Sequence, residues 1–353
     1  MERLREPFPV ETERVWRTYT GGKLLEKRDG NEEAKDSHYP EEWILSTVEA
    51  KNPNGQIEGL SRVKLSKYEG TLADLLLSSP GCLGRKADGV ARKDMGVLTK
   101  IIDSGERLTI QVHPDKEKAE KFFHSPYGKT ECWHILGRRN ADSCIYYGFC
   151  PGITRERWVE CFETQNIPEM LNCLNRVPVS EKETYLIPGG VPHAIGPGCL
   201  LIEIQEPTDY TLRTEKMTPQ GQAIADSLIH QGIGVEQMLD CFDYTGMEKS
   251  RLLERYQIPL RGCEKYPGWQ TVVGYPETDC FSLFCREITE ECTLEGEVHF
   301  YGLYIWSGKG KLQVAGNCYG IHAGTQFFVP AGSIPFVIHV DEPMKVFRIE
   351  GPR

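Results

Sequence analysis

The 353-residue sequence has no apolar run approaching the roughly 20 residues that a membrane-crossing helix needs. Its opening stretch, MERLREPFPVETERVW, has no continuous apolar core, so a secretory signal is not expected and the cytoplasm is the expected compartment. Paired cysteines are missing as well. The 13 cysteines include no CxxC spacing, which excludes a zinc ribbon, and they lack the short regular spacing of a disulfide framework. Most of these thiols are expected to be small buried hydrophobes in the reduced state. Positive charge is in deficit: 41 Lys and Arg against 51 Asp and Glu leave a net charge of −10. Such a balance excludes a general nucleic-acid-binding surface, which must displace phosphate counterions. It leaves room for a local cationic pocket that takes one small anion.

Solenoid-period repeats and low-complexity tracts are also absent, and the length favours two compact units. What the chain does contain is many short alternating runs broken by Gly, Pro, Asn and Asp, the texture of barrels and sandwiches. EEWILSTVEA, RLTIQVHPD, TECWHILGR, ETYLIPGGVPHAI and CLLIEIQE are examples, with GLYIWSGKGKLQV, TQFFVPAGSIPFVIHV and MKVFRIE towards the end. The class expected is therefore mainly β with helical insertions. Helical periods are expected over Thr71–Leu77, over Lys116–Phe123 behind Asp115, and as one or two amphipathic helices over Arg155–Val177. Pro219–Asp243 reads as a helical exit segment. The domain boundary falls near Tyr244–Leu260, giving an N-terminal unit over 1–245 and a C-terminal unit over 246–353. Gly308-Lys309-Gly310 reads as a hairpin turn, since no helix follows it to make a phosphate loop.

The informative segment is Leu108-Thr109-Ile110-Gln111-Val112-His113. Strand alternation sets Leu108, Ile110 and Val112 on one face and Thr109, Gln111 and His113 on the other. A second strand, Lys129 to Leu136, puts Lys129 and Glu131 on one face and His134 on the opposite one. A third segment, Thr184 to His193, is a strand and a tight Pro-Gly turn that delivers a histidine. Gln111, His113, Glu131 and His193 together offer two imidazoles, a carboxylate and an amide. Zinc accepts two His and a Glu at catalytic sites, with a position left open. Read from spacing alone, four unrelated polar residues satisfied by local hydrogen bonds fit equally well.

The third segment has the PxGxxH form of the second cupin motif, and Gln-x-His stands where the first motif usually has His-x-His. Beyond that, LTIQVHPDK, GKTECWHIL, IPGGVPHAIG and LIEIQEPTDYTLR closely resemble type I mannose-6-phosphate isomerases of the shorter bacterial form. The resemblance implies two cupin-like (jelly-roll) β-barrels, the first of which holds one Zn2+ on Gln111, His113, Glu131 and His193. It further implies that Glu203 and Arg213 flank the sugar and that Lys129 lies beside the metal. Lys100 then serves the phosphate, and Thr109 stands next to the ligands. The sequence departs from the family at Pro207 and Thr208. After Arg213 the family's lysine is matched by Gln220, unless Lys216 takes its role. In the C-terminal segment TQFFVPAGSIPFVI, Pro335 occupies the histidine position of the same turn, so no metal is expected in the second barrel.

The reaction implied is the interconversion of mannose 6-phosphate and fructose 6-phosphate through a cis-enediol. Glu203, Lys129 and a water on the metal are the candidates for moving the proton, whereas a guanidinium such as Arg213 is never simply deprotonated. Two other readings stay open. An iron(II) cupin oxygenase uses the same two-His-one-carboxylate set, although Gln111 and the Lys/Arg cluster count against it. A non-catalytic sugar-phosphate-binding cupin draws support from Pro207 and Gln220. The partner expected is a small sugar phosphate, with no nucleic acid and no membrane. Monomer and homodimer are both open.

Overall fold

A computed structural model describes residues 4–53, 55 and 57–353. The chain is mainly β, and its strands pair antiparallel throughout. A six-stranded sheet runs in the order Thr184–Ile187, Glu131–Arg138, Cys199–Gln205, Leu98–Asp103, Glu41–Ile44 and Glu13–Val15. Its middle strand, CLLIEIQ, reads as an alternation but is buried at every residue, because both of its faces are covered. A five-stranded sheet lies against it, in the order Leu174–Pro178, Cys144–Phe149, His193–Ile195, Gln111–Val112 and Leu212–Arg213. Trp133, Ile135 and Ile102 of the first sheet pack with Ile145, Tyr147 and Ile195 of the second in one buried cluster.

The C-terminal third forms a nine-stranded sheet built on two long strands, Tyr301–Val314 and Phe336–Glu350. The chain's first strand, Phe8–Val10, pairs with Gln326–Val329 at the edge of that sheet. Helix Lys249–Tyr256 packs back on the N-terminal body through Leu252. Among the described residues no helix is long and apolar enough to cross a membrane. Nine of the 13 cysteines are buried.

Helix starts follow their side-chain caps. Thr71 accepts from the Asp74 amide at 3.0 Å ahead of Leu72–Ser78, and Asp115 accepts from the Lys118 amide at 2.8 Å ahead of Lys116–Phe123. Arg155–Val177 is two helices, Arg155–Thr164 and Ile167–Asn172, but Leu174 onward is strand, paired with Cys144–Phe149. Pairing with a sheet edge outweighs the helical period there. Pro219–Asp243 is helical only at Asp226–Ile229 and Val235–Leu239, because Gly221, Gly232 and Gly234 take positive φ and break the remainder. Gly308-Lys309-Gly310 is not a hairpin turn. It is a bulged stretch inside Tyr301–Val314, with Gly308 at φ 91° and the register slipping on either side of Lys309. The tight turn comes later at Ala315-Gly316, between Val314 and its partner Asn317.

Candidate metal centre and cleft

Cross-strand register builds the site as two rows of side chains. On the five-stranded sheet, Gln111 stands opposite His193 on one neighbour and Arg213 on the other. On the six-stranded sheet, Glu203 stands between Trp133 and Lys100, and Lys100 is opposite Trp43. Only Gln111–Val112 of the expected Leu108–His113 strand joins the ladder, because the Ile110 amide is taken by the Glu215 carboxylate at 2.6 Å. The Pro188–Gly190 turn then brings His193 in from the far side, its Gly190 amide tied to the His113 carbonyl at 2.8 Å.

His113, Glu131 and His193 are fully buried and converge, each offering one ligand atom within 4.8 Å of the others. Both imidazoles are oriented from behind. His113 Nδ1 donates to the Tyr210 carbonyl at 2.6 Å and His193 Nδ1 to the Val191 carbonyl at 2.8 Å. That arrangement fixes the tautomer and leaves both Nε2 lone pairs facing inward, 3.2 Å apart. Glu131 Oε2 lies 3.2 Å from His113 Nε2, and Oε1 lies 3.3 Å from His193 Nε2. Gln111 brings its amide to 3.2 Å from His193 Nε2, and a half-turn of that amide exchanges its oxygen for its nitrogen.

Two lone pairs and a carboxylate cannot satisfy one another. They call for a cation, and the Lys129 ammonium leans in, 2.8 Å from His113 Nε2 and 2.5 Å from Glu131 Oε2. Glu131 Oε1 is left buried without a hydrogen-bond partner. A donor set of two neutral imidazoles, one carboxylate and one amide fits a divalent ion such as zinc. The electrostatics agree. Burial, then Lys129, push His113 down to about 3, and burial lowers His193. Burial would raise Glu131, but Lys129 and the two imidazoles outweigh it and hold the carboxylate well below its usual range.

Beside this cluster opens a cleft of about 670 Å³, counted to its mouth and including open solvent. Lys100, Thr109, Gln111, Lys129, Glu203 and Arg213 all line it. Glu203 is buried, pairs with Lys100 at 3.1 Å and accepts from Trp133 Nε1 at 2.9 Å. Its carboxyl is raised, first by burial and then by Glu131, against the pull of Lys100. Lys100 also lies 3.9 Å from Glu41 and is held charged, because Glu203 and Glu41 outweigh the cost of its burial. Arg213 donates to the carbonyls of Thr211 (3.2 Å) and Leu228 (2.8 Å) and has no carboxylate partner among the described residues. Burial and the nearby Arg17 lower it to about 10, so it stays charged at neutral pH.

Lys216 is not brought to the cleft; it is exposed, with its ammonium 5.2 Å from the centre of the Phe162 ring. Gln220 is likewise engaged elsewhere, with Thr20 and Glu106. Conversely, sequence reasoning passed over Arg17, Tyr19, Glu41 and Lys51, which line the cleft, and Asp209, which braces it. Arg17 forks onto Asp209 (2.8 and 3.1 Å) and reaches Glu41 at 3.0 Å, while Tyr19 and Trp43 donate to the same Glu41. The available signal was a pair of acids, Glu41-Glu42, heading a strand that is otherwise apolar.

No family model matches the chain. It is 31% identical over 331 residues, 94% of each chain, to the Bacillus subtilis protein named "Putative mannose-6-phosphate isomerase YvyI". Among solved structures, it superposes on the mannose 6-phosphate isomerase of Bacillus subtilis with a TM-score of 0.74 at 22% identity, covering 97% of this chain and 99% of that one. A zinc-bound mannose 6-phosphate isomerase superposes with a TM-score of 0.73 at 13% identity, covering 99% and 100%. At those identities the structural likenesses establish the fold.

Proposed function

The chain belongs to the mannose-6-phosphate isomerase family, and from that premise we propose how it works: it interconverts mannose 6-phosphate and fructose 6-phosphate on one zinc ion held by Gln111, His113, Glu131 and His193. The observation that carries this reading is the buried His113–Glu131–His193 cluster, both Nδ1 atoms committed to backbone carbonyls, beside a cleft with an unpaired guanidinium. When bound there, zinc supplies Lewis acidity to an oxygen whose negative charge grows during the reaction. The two-barrel cupin architecture, with the division near residue 245 and strand Phe8–Val10 exchanged onto the C-terminal unit, belongs to the same proposal.

The chain's own residues have separable tasks. Isomerisation breaks the C2–H bond of the aldose, makes the C1–C2 double bond of the enediol and returns a proton to C1. Glu203 is our choice for carrying that proton. It lines the cleft, and its raised carboxyl brings it nearer the operating range of a general base. Lys129 orients Glu131 and stabilises developing negative charge. Thr109 lies on the same wall as Gln111 and is suited to hydrogen-bonding a sugar hydroxyl. Lys100 already answers two carboxylates, so less of its charge is available for the 6-phosphate than its position suggests. The Arg213 guanidinium and the Lys51 ammonium line the same cleft with no carboxylate in ion-pair range among the described residues, and they are better placed to balance a dianion.

The test is a coupled assay across several aldose 6-phosphates, run beside metal quantification and exchange of the C2 hydrogen with solvent deuterium. Mannose 6-phosphate turnover with stoichiometric zinc is expected. Full activity in protein free of zinc and of every other divalent metal would overturn the reading, and iron with oxygen uptake would favour an oxygenase. Sugar-phosphate binding without C2 exchange would leave a non-catalytic binder.

A further inference from the structure

The strand that carries Glu131 into the metal cluster sends His134 to the opposite face, towards the C-terminal sheet. There His134 lines a second recess of about 520 Å³, counted to its mouth, together with Lys182, Gln270, Glu287 and Lys345. Register puts Gln270 beside Cys285, and Glu287 beside Lys345, on one face of the C-terminal sheet. Lys182 comes from the turn ahead of Thr184–Ile187 on the N-terminal sheet. The recess is thus walled by both halves of the chain.

We propose that this recess is a second ligand site, separate from the metal cleft, for a small anion of the phosphate class, free or as a monoester. Three observations carry it. His134 is 1% exposed and bonds Thr184 Oγ1 through Nδ1 at 2.8 Å, yet its Nε2 is buried without a partner. A threonine hydroxyl that donates to Nδ1 leaves Nε2–H as a donor for an incoming oxygen. Lys182 and Lys345 have no carboxylate partner within ion-pair range among the described residues, although both lie close enough to His134 to disfavour its protonation. Glu287 is the one acid on the wall, against Lys182, Lys345 and Arg286, a local positive excess on a chain of net charge −10. Two lysines, an imidazole N–H and the Gln270 amide lining one recess match a tetrahedral oxyanion, whose oxygens accept from several directions at once. An uncharged ligand would leave both ammonium groups unanswered.

The test uses the zinc-loaded full chain and calorimetric titration with inorganic phosphate. Arg213→Ala, made together with Lys51→Ala, removes the cleft's two cations without a carboxylate partner, and Lys182→Asn with Lys345→Gln silences the recess; Asn suits the positive φ of 73° at residue 182. The cleft double variant should retain one phosphate-binding event, and adding the two recess substitutions should weaken it about tenfold or more, as expected for losing two charge-assisted hydrogen bonds. Titration with glycerol phosphate separates the sources: comparable affinity assigns an ester ligand, and binding of inorganic phosphate alone assigns the free ion. Loss of all phosphate binding in the cleft double variant would overturn the site, as would an isotherm that the recess substitutions leave unmoved. Both recess lysines lie towards solvent on the wall, so these variants should fold; His134→Leu, which removes the buried donor, supplies a further arm with the same expected direction.

Discussion

The turn at Pro188–His193 in the N-terminal half and the turn at Pro330–Pro335 in the C-terminal half have one backbone and two outcomes. In each, the third residue is a glycine at positive φ, Gly190 at 92° and Gly332 at 70°. In each, that glycine's amide donates across to a neighbouring segment, to the His113 carbonyl at 2.8 Å and to the Glu297 carbonyl at 2.7 Å. The fourth residue then closes the turn onto its proline carbonyl, at 3.2 and 3.1 Å. The sixth residue differs. His193 enters a buried polar cluster, whereas Pro335 sits exposed ahead of an apolar strand. The turn is therefore a delivery geometry, and the chemistry depends on the residue delivered and on what awaits it.

Buried arginines draw the same contrast. Arg348 in the C-terminal half lies 3.8 Å from the ring centres of both Tyr266 and Tyr301, donates to Glu350 at 2.8 Å and to Tyr266 Oη at 2.8 Å, and reaches Glu297 at 3.2 Å. Every direction is closed, and such a group holds a fold together. Arg213 bonds only carbonyls and lines a cleft. Charge left unbalanced beside open space is what a substrate can use.

The largest effect should come from emptying the delivered position. His193→Ala removes one of two inward lone pairs and is expected to abolish bound zinc and isomerisation together, by orders of magnitude in turnover. Metal analysis and assay on one sample check this, and a zinc-replete, inactive His193→Ala protein would break the link between the turn and the metal. Next comes Arg213→Ala, expected to keep its zinc and lose about 10²–10³ in kcat, the size of effect seen when one preorganised charge-stabilising donor is removed. Unchanged turnover there would erase the distinction between the two arginines. Arg348→Met should do the reverse. It is expected to cost about 3–5 kcal/mol of stability, because Glu350 is left buried without its partner, while activity per folded molecule holds. Denaturant unfolding beside the same assay separates these outcomes.

The faces on which the candidate ligands lie were legible because alternation is a strong local rule. Gln111 and His113 share a face two residues apart, and Glu131 and His134 fall on opposite faces, as their contacts show. The PxG turn announced where the chain would reverse. Helices Leu72–Ser78 and Lys116–Phe123 were legible for a similar reason, since their caps Thr71 and Asp115 are adjacent in sequence. Long-range pairing was not. Leu174–Pro178 reads as the end of a helix until Cys144–Phe149 supplies a partner, and Gly308 reads as a turn until Phe336–Glu350 runs alongside it. The Arg17–Asp209 pair joins residues 192 apart, and no local pattern marks it. Lys216 shows the opposite failure: a resemblance nominated it, but its backbone leaves the cleft and its ammonium rests on Phe162.

The smallest effect is expected from the substitution that would make the two turns alike. Pro335→His restores an imidazole to the sixth position of the second turn, and the shared backbone should accept it within about 1 kcal/mol at an exposed site. No second zinc should follow. Zinc needs several converging donors, and what lies beyond Pro335 is Phe336, Ile338 and Leu312 in an apolar cluster, with no Gln-x-His strand and no acid equivalent to Glu131. Metal content should stay at the wild-type ratio under zinc excess followed by desalting. Uptake of a second tightly held ion would mean that the turn alone makes a metal site. The buried partners at Gln111, His113 and Glu131 would then have been given too much of the credit.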